Sequence, residues 1–119
     1  MKQKVRSVSY LAKAEFELKT GVYELVALPT GAEVVKVSLE IVGNPTAGSV
    51  NVGFKDDEKI NFFLDNINLT TNKYNTSAKD YTAMSNKVVV AEVKTANNSD
   101  TKGVLRVLYF LPSVIEVEY

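Results

Sequence analysis

The sequence predicts an all-β fold: a single-domain, antiparallel β-sandwich of jelly-roll-like type with about eight to nine strands. Apolar and polar residues alternate at period two through most of the chain, as they do in strands with one dry and one wet face. Turn signals rich in Gly, Pro, Asn and Asp recur at intervals of roughly ten residues. No segment favours a helix, and 119 residues are enough for one hydrophobic core.

Residues 1–10 are predicted to form an N-terminal arm or an edge strand. Apolar residues in this segment do not keep to one face, so it can pair as a strand without a defined dry side. An arm that docks on a neighbouring subunit and a frayed terminus both fit this pattern. The candidate interaction residues here are Val5, Arg6, Val8 and Tyr10.

Residues 11–119 are predicted to form the sandwich domain. Ala12 to Leu18 alternates with charged residues, and Val22 to Leu28 runs back after a Gly-containing turn, which favours a hairpin. A Leu-Pro-Thr-Gly turn then precedes the longest strand. The predicted dry face of that strand holds Val35, Val37, Leu39 and Ile41.

The next segments continue the alternation and then lose it. The residues predicted to point inward are Val50, Val52, Phe54, Ile60, Phe62 and Leu64, with Phe63 on the other side. Residues 65–86 are rich in Asn, Thr and Ser and are predicted as a long polar loop, either functional or partly structured by short strands.

The last third of the chain returns to strands. Val88 to Val93 is predicted as one of them. Val104 to Phe110 is nearly all apolar, which is typical of a central strand covered on both faces. A short final strand is predicted from Val114 to Tyr119.

Composition argues against several classes of function. The chain has no His, Cys or Trp, which removes the usual zinc ligands, the thiolate nucleophile and the commonest proton shuttle, so we expect neither an enzyme nor a bound cofactor. Lys plus Arg and Asp plus Glu are 14 each, which disfavours nucleic acid as a partner. No apolar run approaches the ~20 residues of a membrane span, and we expect synthesis in the cytoplasm.

Two groups of residues could carry a binding function. Asp56, Asp57 and Glu58 are three adjacent carboxylates, but their spacing is not that of a calcium loop, so a solvated turn is favoured and no metal is predicted. Tyr74 and Tyr81, in the polar segment, could stack on sugar rings, anchor a protein interface, or pack their loop onto the sandwich.

The order of several motifs resembles one family, the small β-sandwich auxiliary virion proteins of tailed bacteriophages. The matching features are an apolar strand, a Leu-Pro-x-Gly-Ala turn, a Val-x-x-Val-x-Leu-x-Ile strand, a Val-x-Val-Gly strand, a segment that ends in Asn-Leu-Thr where the family usually has Asp-Leu-Thr, and a closing apolar strand. They lie at Phe16–Leu18, Leu28–Ala32, Val34–Ile41, Val50–Gly53, Phe62–Thr70 and Val104–Phe110.

This resemblance implies a non-enzymatic role as a capsid decoration (cement) protein or head-fibre protein. The implied partner is the major capsid protein, the implied oligomer is a homotrimer, and the implied location is the capsid surface of a virion made in a bacterial cytoplasm. The family has no catalytic residues to carry over. The segment before Leu11 is where such a protein would grip the shell, so deletion of residues 1–10 is expected to abolish capsid binding. The alternative is a carbohydrate-binding or adhesin module that uses Tyr74 and Tyr81.

Overall fold

The computed structural model describes residues 2–55, 59–77, 79–96, 100–112 and 114–118, which form eleven strands and no helix. The strands are β1 Lys2–Arg6, β2 Ser9–Glu17, β3 Gly21–Leu28, β4 Glu33–Val42, β5 Ser49–Phe54, β6 Leu64–Asn68, β7 Tyr74–Ser77, β8 Tyr81–Thr82, β9 Lys87–Lys94, β10 Lys102–Phe110 and β11 Val114–Glu118. Within these ranges no helix is long and apolar enough to cross a membrane. The carboxylate group at 56–58 lies outside the described residues.

Two facing antiparallel sheets form the sandwich. The first has the order β2-β10-β4-β7, with the short β8 also paired to β4, and the second has the order β3-β9-β5-β6. The chain crosses from one sheet to the other between β2 and β3, β3 and β4, β4 and β5, β6 and β7, β8 and β9, and β9 and β10. This interleaved order is that of a jelly roll, which confirms the predicted fold class.

The hydrophobic core lies between the two sheets. Its residues come from alternate positions of the facing strands, because side chains on one face of a strand recur at period two. The largest side chains with less than 2% exposure include Leu18, Leu28, Leu39, Phe54, Leu69 and Leu105. Burying a side chain of this size contributes about 1.5–3 kcal/mol relative to leaving it in water.

The predicted hairpin between the second and third strands is wrong. β2 pairs with β10 and β3 pairs with β9, so the two strands lie in opposite sheets. They face each other across the core, where the rings of Phe16 and Tyr23 are 5.4 Å apart. The alternation of each strand identifies its dry face, but it does not identify the strand beside it.

The predicted dry face of β4 is also wrong at its first residue. Val34 is fully buried, whereas Val35 is 39% exposed. Leu108 of β10 pairs with Lys36 and Tyr109 pairs with Val34, so Val35 is the extra residue of a β-bulge. The bulge shifts the side-chain phase by one residue, because two residues of β4 oppose a single step of β10.

Residues 59–63 do not continue the inward face of β5. The next strand begins only at Leu64, and Phe63, predicted to lie on the other side, is buried. This segment folds over Gly53, where an added Cβ would lie 2.2 Å from the carbonyl oxygen of Lys59. The close approach brings the ring of Phe62 within 5.4 Å of the ring of Phe54.

Segment 65–86 is partly structured by short strands, one of the two alternatives predicted for it: β6 extends into it, and β7 and β8 lie within it. The side chains of Leu69 and Ala83 anchor this segment in the core, since they are only 0% and 1% exposed. β10 is central, as predicted, but it is fully covered only on its inner face: Leu105 and Val107 are buried there, whereas Arg106 and Leu108 on the outer face remain partly exposed.

We expect Phe54→Ala to lower the free energy of unfolding by about 3–5 kcal/mol. Phe54 is 1% exposed, and its ring lies 4.5 to 5.4 Å from three other aromatic rings, so truncation leaves a cavity. Denaturant unfolding measures the change. Tyr74→Ala is the control, because Tyr74 is 81% exposed and its loss should shift stability by less than about 0.5 kcal/mol. Equal losses in the two variants would contradict the placement of Phe54.

Candidate interaction surface

Both ends of the chain meet in a two-stranded ribbon outside the sandwich. β1 pairs with β11, and within the described residues neither strand pairs with any other. The molecule is 55 Å long and 25 by 18 Å across. β4, with ten residues, spans only about 33 Å, so the molecule is longer than its longest strand.

Arg6 clamps the base of the ribbon to the sandwich. Its Nη1 donates hydrogen bonds to the carbonyl oxygens of Gly31, at 2.6 Å, and Leu111, at 3.2 Å. The N–H of Leu111 in turn donates to the carbonyl oxygen of Val8, at 2.8 Å. Hydrogen bonds from a charged group contribute about 1.5–3 kcal/mol each, so this clamp holds the ribbon in one orientation.

The Leu-Pro-Thr-Gly turn is shaped to receive the chain after β10. Gly31 has a φ of 87°, a conformation that favours glycine. A Cβ added there would lie 2.7 Å from Cβ of Pro112. Glycine therefore serves two purposes at this position: it turns the chain, and it leaves room for Pro112 at the base of the ribbon.

Exposed apolar side chains concentrate at the same end of the molecule. Among the described residues, eight large hydrophobic side chains are exposed, and five of them lie at the ribbon end. These five, which we call the ribbon-end rim, are Val8, Tyr10, Leu11, Val35 and Met84. The backbone pairing places them there: the partners of Tyr10 and Leu11 are near the end of β10, and Ala83 pairs with Ala32 beside the turn.

A shallow groove runs from the rim along the outer face of the first sheet. Its first part, about 280 Å³, is lined by Leu11, Lys36, Ser38, Arg106 and Leu108. An adjoining part of about 200 Å³ continues toward Tyr74. Nη1 of Arg106 lies 3.0 Å from Oε1 of Glu40, and this half-exposed ion pair forms part of the lining of the second part.

The six residues predicted from sequence as interaction residues fall in different places. Val5 and Arg6 are partly buried in the ribbon, while Val8 and Tyr10 are exposed in the rim. Tyr10 also packs edge-on against Tyr109, with ring centroids 5.9 Å apart.

The two tyrosines of the polar segment are not together. Tyr74 is exposed on β7, opposite Glu40 and away from the ribbon. Tyr81 is partly buried and packs against Phe54 at 4.5 Å and Phe62 at 5.5 Å. Its position matches the packing alternative raised for it from the sequence, and the pair does not form a shared platform for a sugar ring.

Three members of the rim were missed by sequence reasoning. Val35 was predicted on the dry face of its strand, and its exposure follows from the bulge in β4, whereas no side was predicted for Leu11. Met84 follows the two-residue strand β8, which local alternation does not reveal. Within the described ranges no group of three acidic side chains could hold a metal ion.

We expect Arg6→Met to release the ribbon from the sandwich without unfolding it. Methionine keeps a long unbranched side chain but removes both donated hydrogen bonds. Amide hydrogen exchange should show lost protection in β1 and unchanged protection in β10. Gln3→Met is the matched control, because Gln3 is an exposed, uncharged residue of the same strand. Retained protection of β1 in Arg6→Met would contradict the clamp.

Solved structures that are similar to this chain include two phage capsids. A chain in the acid-stable capsid structure of Helicobacter pylori bacteriophage KHP30 is 69% identical, with a TM-score of 0.93 over 100% of both chains. A chain in the cyanophage Pam1 capsid asymmetric unit is 20% identical, with a TM-score of 0.69 over 87% of this chain and 85% of that one, a likeness that shows the fold alone. No protein-family model and no curated protein matches the sequence. The KHP30 match covers the full length at high identity, so this chain belongs to the same family as that capsid chain, a family of small β-sandwich structural proteins of bacteriophage virions.

Proposed function

We propose that this protein is a capsid decoration (cement) protein that binds the outer surface of the major capsid shell as a homotrimer and stabilises the shell. The 69% identity to a chain of a phage capsid structure supports a role within the capsid. The role is structural and involves no chemical step. The protein would be made in the cytoplasm of the bacterial host and act on the virion surface.

The observation that carries the proposal is the ribbon-end rim. A patch of exposed apolar residues on a soluble protein marks an interaction site, and burial of apolar surface contributes about 25 cal/mol per Å². The rim residues lie at the end of the sandwich from which the ribbon leaves, and Arg6 holds the ribbon there in a fixed orientation, so the exposed side chains are presented on a rigid support. The protein would therefore meet the shell with this end.

A symmetric oligomer strengthens such a contact. Each copy offers only a few apolar side chains, which would bind weakly alone. Three copies joined in one assembly convert the second and third contacts into intramolecular events, which raises the overall affinity without new contacts. Decoration of a symmetric shell therefore fits a rigid sandwich with a small apolar rim.

A carbohydrate-binding role through Tyr74 and Tyr81 has less support. Tyr81 packs against the rings of Phe54 and Phe62, so it is not available beside Tyr74 as a second stacking surface. A glycan site would have to rely on Tyr74 alone.

We expect the double variant Val8→Ser, Tyr10→Ser to bind undecorated shells at least about tenfold more weakly, a change of about 1.4 kcal/mol. The two side chains are 41% and 52% exposed, so their loss should leave the fold intact. Co-sedimentation of purified protein with shells that lack the decoration protein measures the affinity. These point changes replace deletion of residues 1–10, which would also remove Ser9 and Tyr10 from their pairing with β10.

The matched control is Val22→Ser. Val22 is 55% exposed but lies at the start of β3, opposite Glu92 and away from the ribbon. This variant should bind shells like the unmodified protein. Undiminished binding by the double variant, or an equal loss in the control, would contradict docking through the ribbon end.

A further inference from the structure

The two strands of the ribbon carry opposite charges. β1 contains Lys2, Lys4 and Arg6 and no acidic residue, whereas β11 contains Glu116 and Glu118 and no basic residue. The ribbon therefore has one basic strand and one acidic strand, although the whole chain has a formal net charge of zero. Like charges on neighbouring strands are unfavourable and opposite charges favourable, so each strand suits a neighbour of the other kind.

Among the described strands, none covers either outer edge of the ribbon. β1 and β11 pair with each other, and no other described strand pairs with either. An open edge presents a row of unpaired N–H and C=O groups, which is a template for another strand. A two-stranded ribbon is also only marginally stable in water by itself.

The register gives the ribbon two different faces. Lys2 pairs with Glu118 and Lys4 with Glu116, so one face holds charged positions. Gln3 pairs with Val117 and Val5 with Ile115, so the opposite face holds mostly apolar positions. A two-stranded ribbon with one apolar face and two open edges of opposite charge can join identical ribbons in a closed ring.

We propose that ribbons of neighbouring copies of this chain add edge to edge, the basic β1 of one copy against the acidic β11 of the next. The contact is heterologous, because it joins two different edges, and a heterologous contact that closes makes a ring. The number of copies rests on the trimer of the proposed function. In that trimer, two strands from each of three copies form one ring with no open edge. Rotation about an axis along the ribbon keeps all β1 strands in one direction, so every neighbouring pair is antiparallel, like β1 and β11 within one copy.

The ring also explains why the ribbon is held to the sandwich by Arg6. Edge-to-edge addition requires every ribbon to leave its sandwich at the same angle, and Arg6 fixes that angle through its hydrogen bonds to Gly31 and Leu111. The apolar face, with Val5 partly buried, would turn toward the inside of the ring, where neighbouring copies exclude water.

Cysteine cross-linking between different chains tests this arrangement, because the chain has no cysteine of its own. Chains with Lys4→Cys are co-expressed with chains that carry either Glu116→Cys or Glu118→Cys and treated with a mild oxidant. Each chain then has one thiol, so no disulfide can form within a chain. We expect a disulfide-linked pair of the two different chains in at least one mixture. We expect no linked pair when Lys4→Cys is expressed alone, since β1 strands are not neighbours in the ring.

The matched control replaces Lys4→Cys by Val22→Cys, which is also exposed but lies away from the ribbon, and no linked pair is expected with it. Linked pairs of Lys4→Cys with itself would overturn the alternation of β1 and β11. A trimer without mixed disulfides would overturn the ribbon as the contact between copies.

A charge exchange gives an independent readout by light scattering. Lys2→Glu with Lys4→Glu makes both edges acidic and should abolish the oligomer, and adding Glu116→Lys with Glu118→Lys restores opposite edges and should restore it. The ring would be overturned if the unmodified protein were a monomer, or if the variant with all four substitutions stayed monomeric. Shell binding in the co-sedimentation assay reports separately on the decoration role, which stands if monomers still bind through the rim, although the proposed homotrimer would then be contradicted.

Discussion

Strand β10 is hydrogen-bonded along both of its edges, and the ribbon end of the molecule depends on where it stops. Its partners are β2 on one side and β4 on the other, and its inner residues belong to the core. Because the strand is held along both edges, the residues that follow it have a fixed position. Leu111 then bonds to Val8, and Pro112 packs at Gly31. The core of the sandwich thus places the base of the ribbon, and Arg6 fastens it there.

Most strands could be predicted from the sequence because their cause is local. A strand with one dry face alternates at period two, and the alternation of Ala12 to Leu18 survives unchanged in β2. Its partner could not be predicted in the same way. β2 pairs with β10, about ninety residues away along the chain, and the pattern of β2 would suit a hairpin with β3 equally well. The bulge at Val35 could not be predicted for the same reason, because it arises from the register between β4 and β10.

The interaction surface was predictable only in part. The N-terminal segment was predicted as an interaction segment because its apolar residues keep to no single face. In the structure, Ser7 and Val8 lie between β1 and β2, so the alternation of side chains is interrupted there. That the C-terminal strand completes a ribbon was not foreseen, because strand pairing between the two ends of a chain leaves no local pattern. One signal was present: lysines at 2 and 4 and glutamates at 116 and 118 share the same spacing of two, which is what opposite strands of an antiparallel pair require. The rim depends on five side chains from separate segments and emerges only when the fold brings them to one end.

Hydrogen exchange of the free protein and of the same protein bound to undecorated shells tests whether this chain decorates a capsid with its ribbon end. We expect new protection on binding in residues 5–11, around the 29–35 turn, and at 83–84, with little change at the opposite end of the sandwich in residues 43–48 and 70–73. Protection confined to that opposite end, with the ribbon-end rim unchanged, would contradict decoration through the ribbon end.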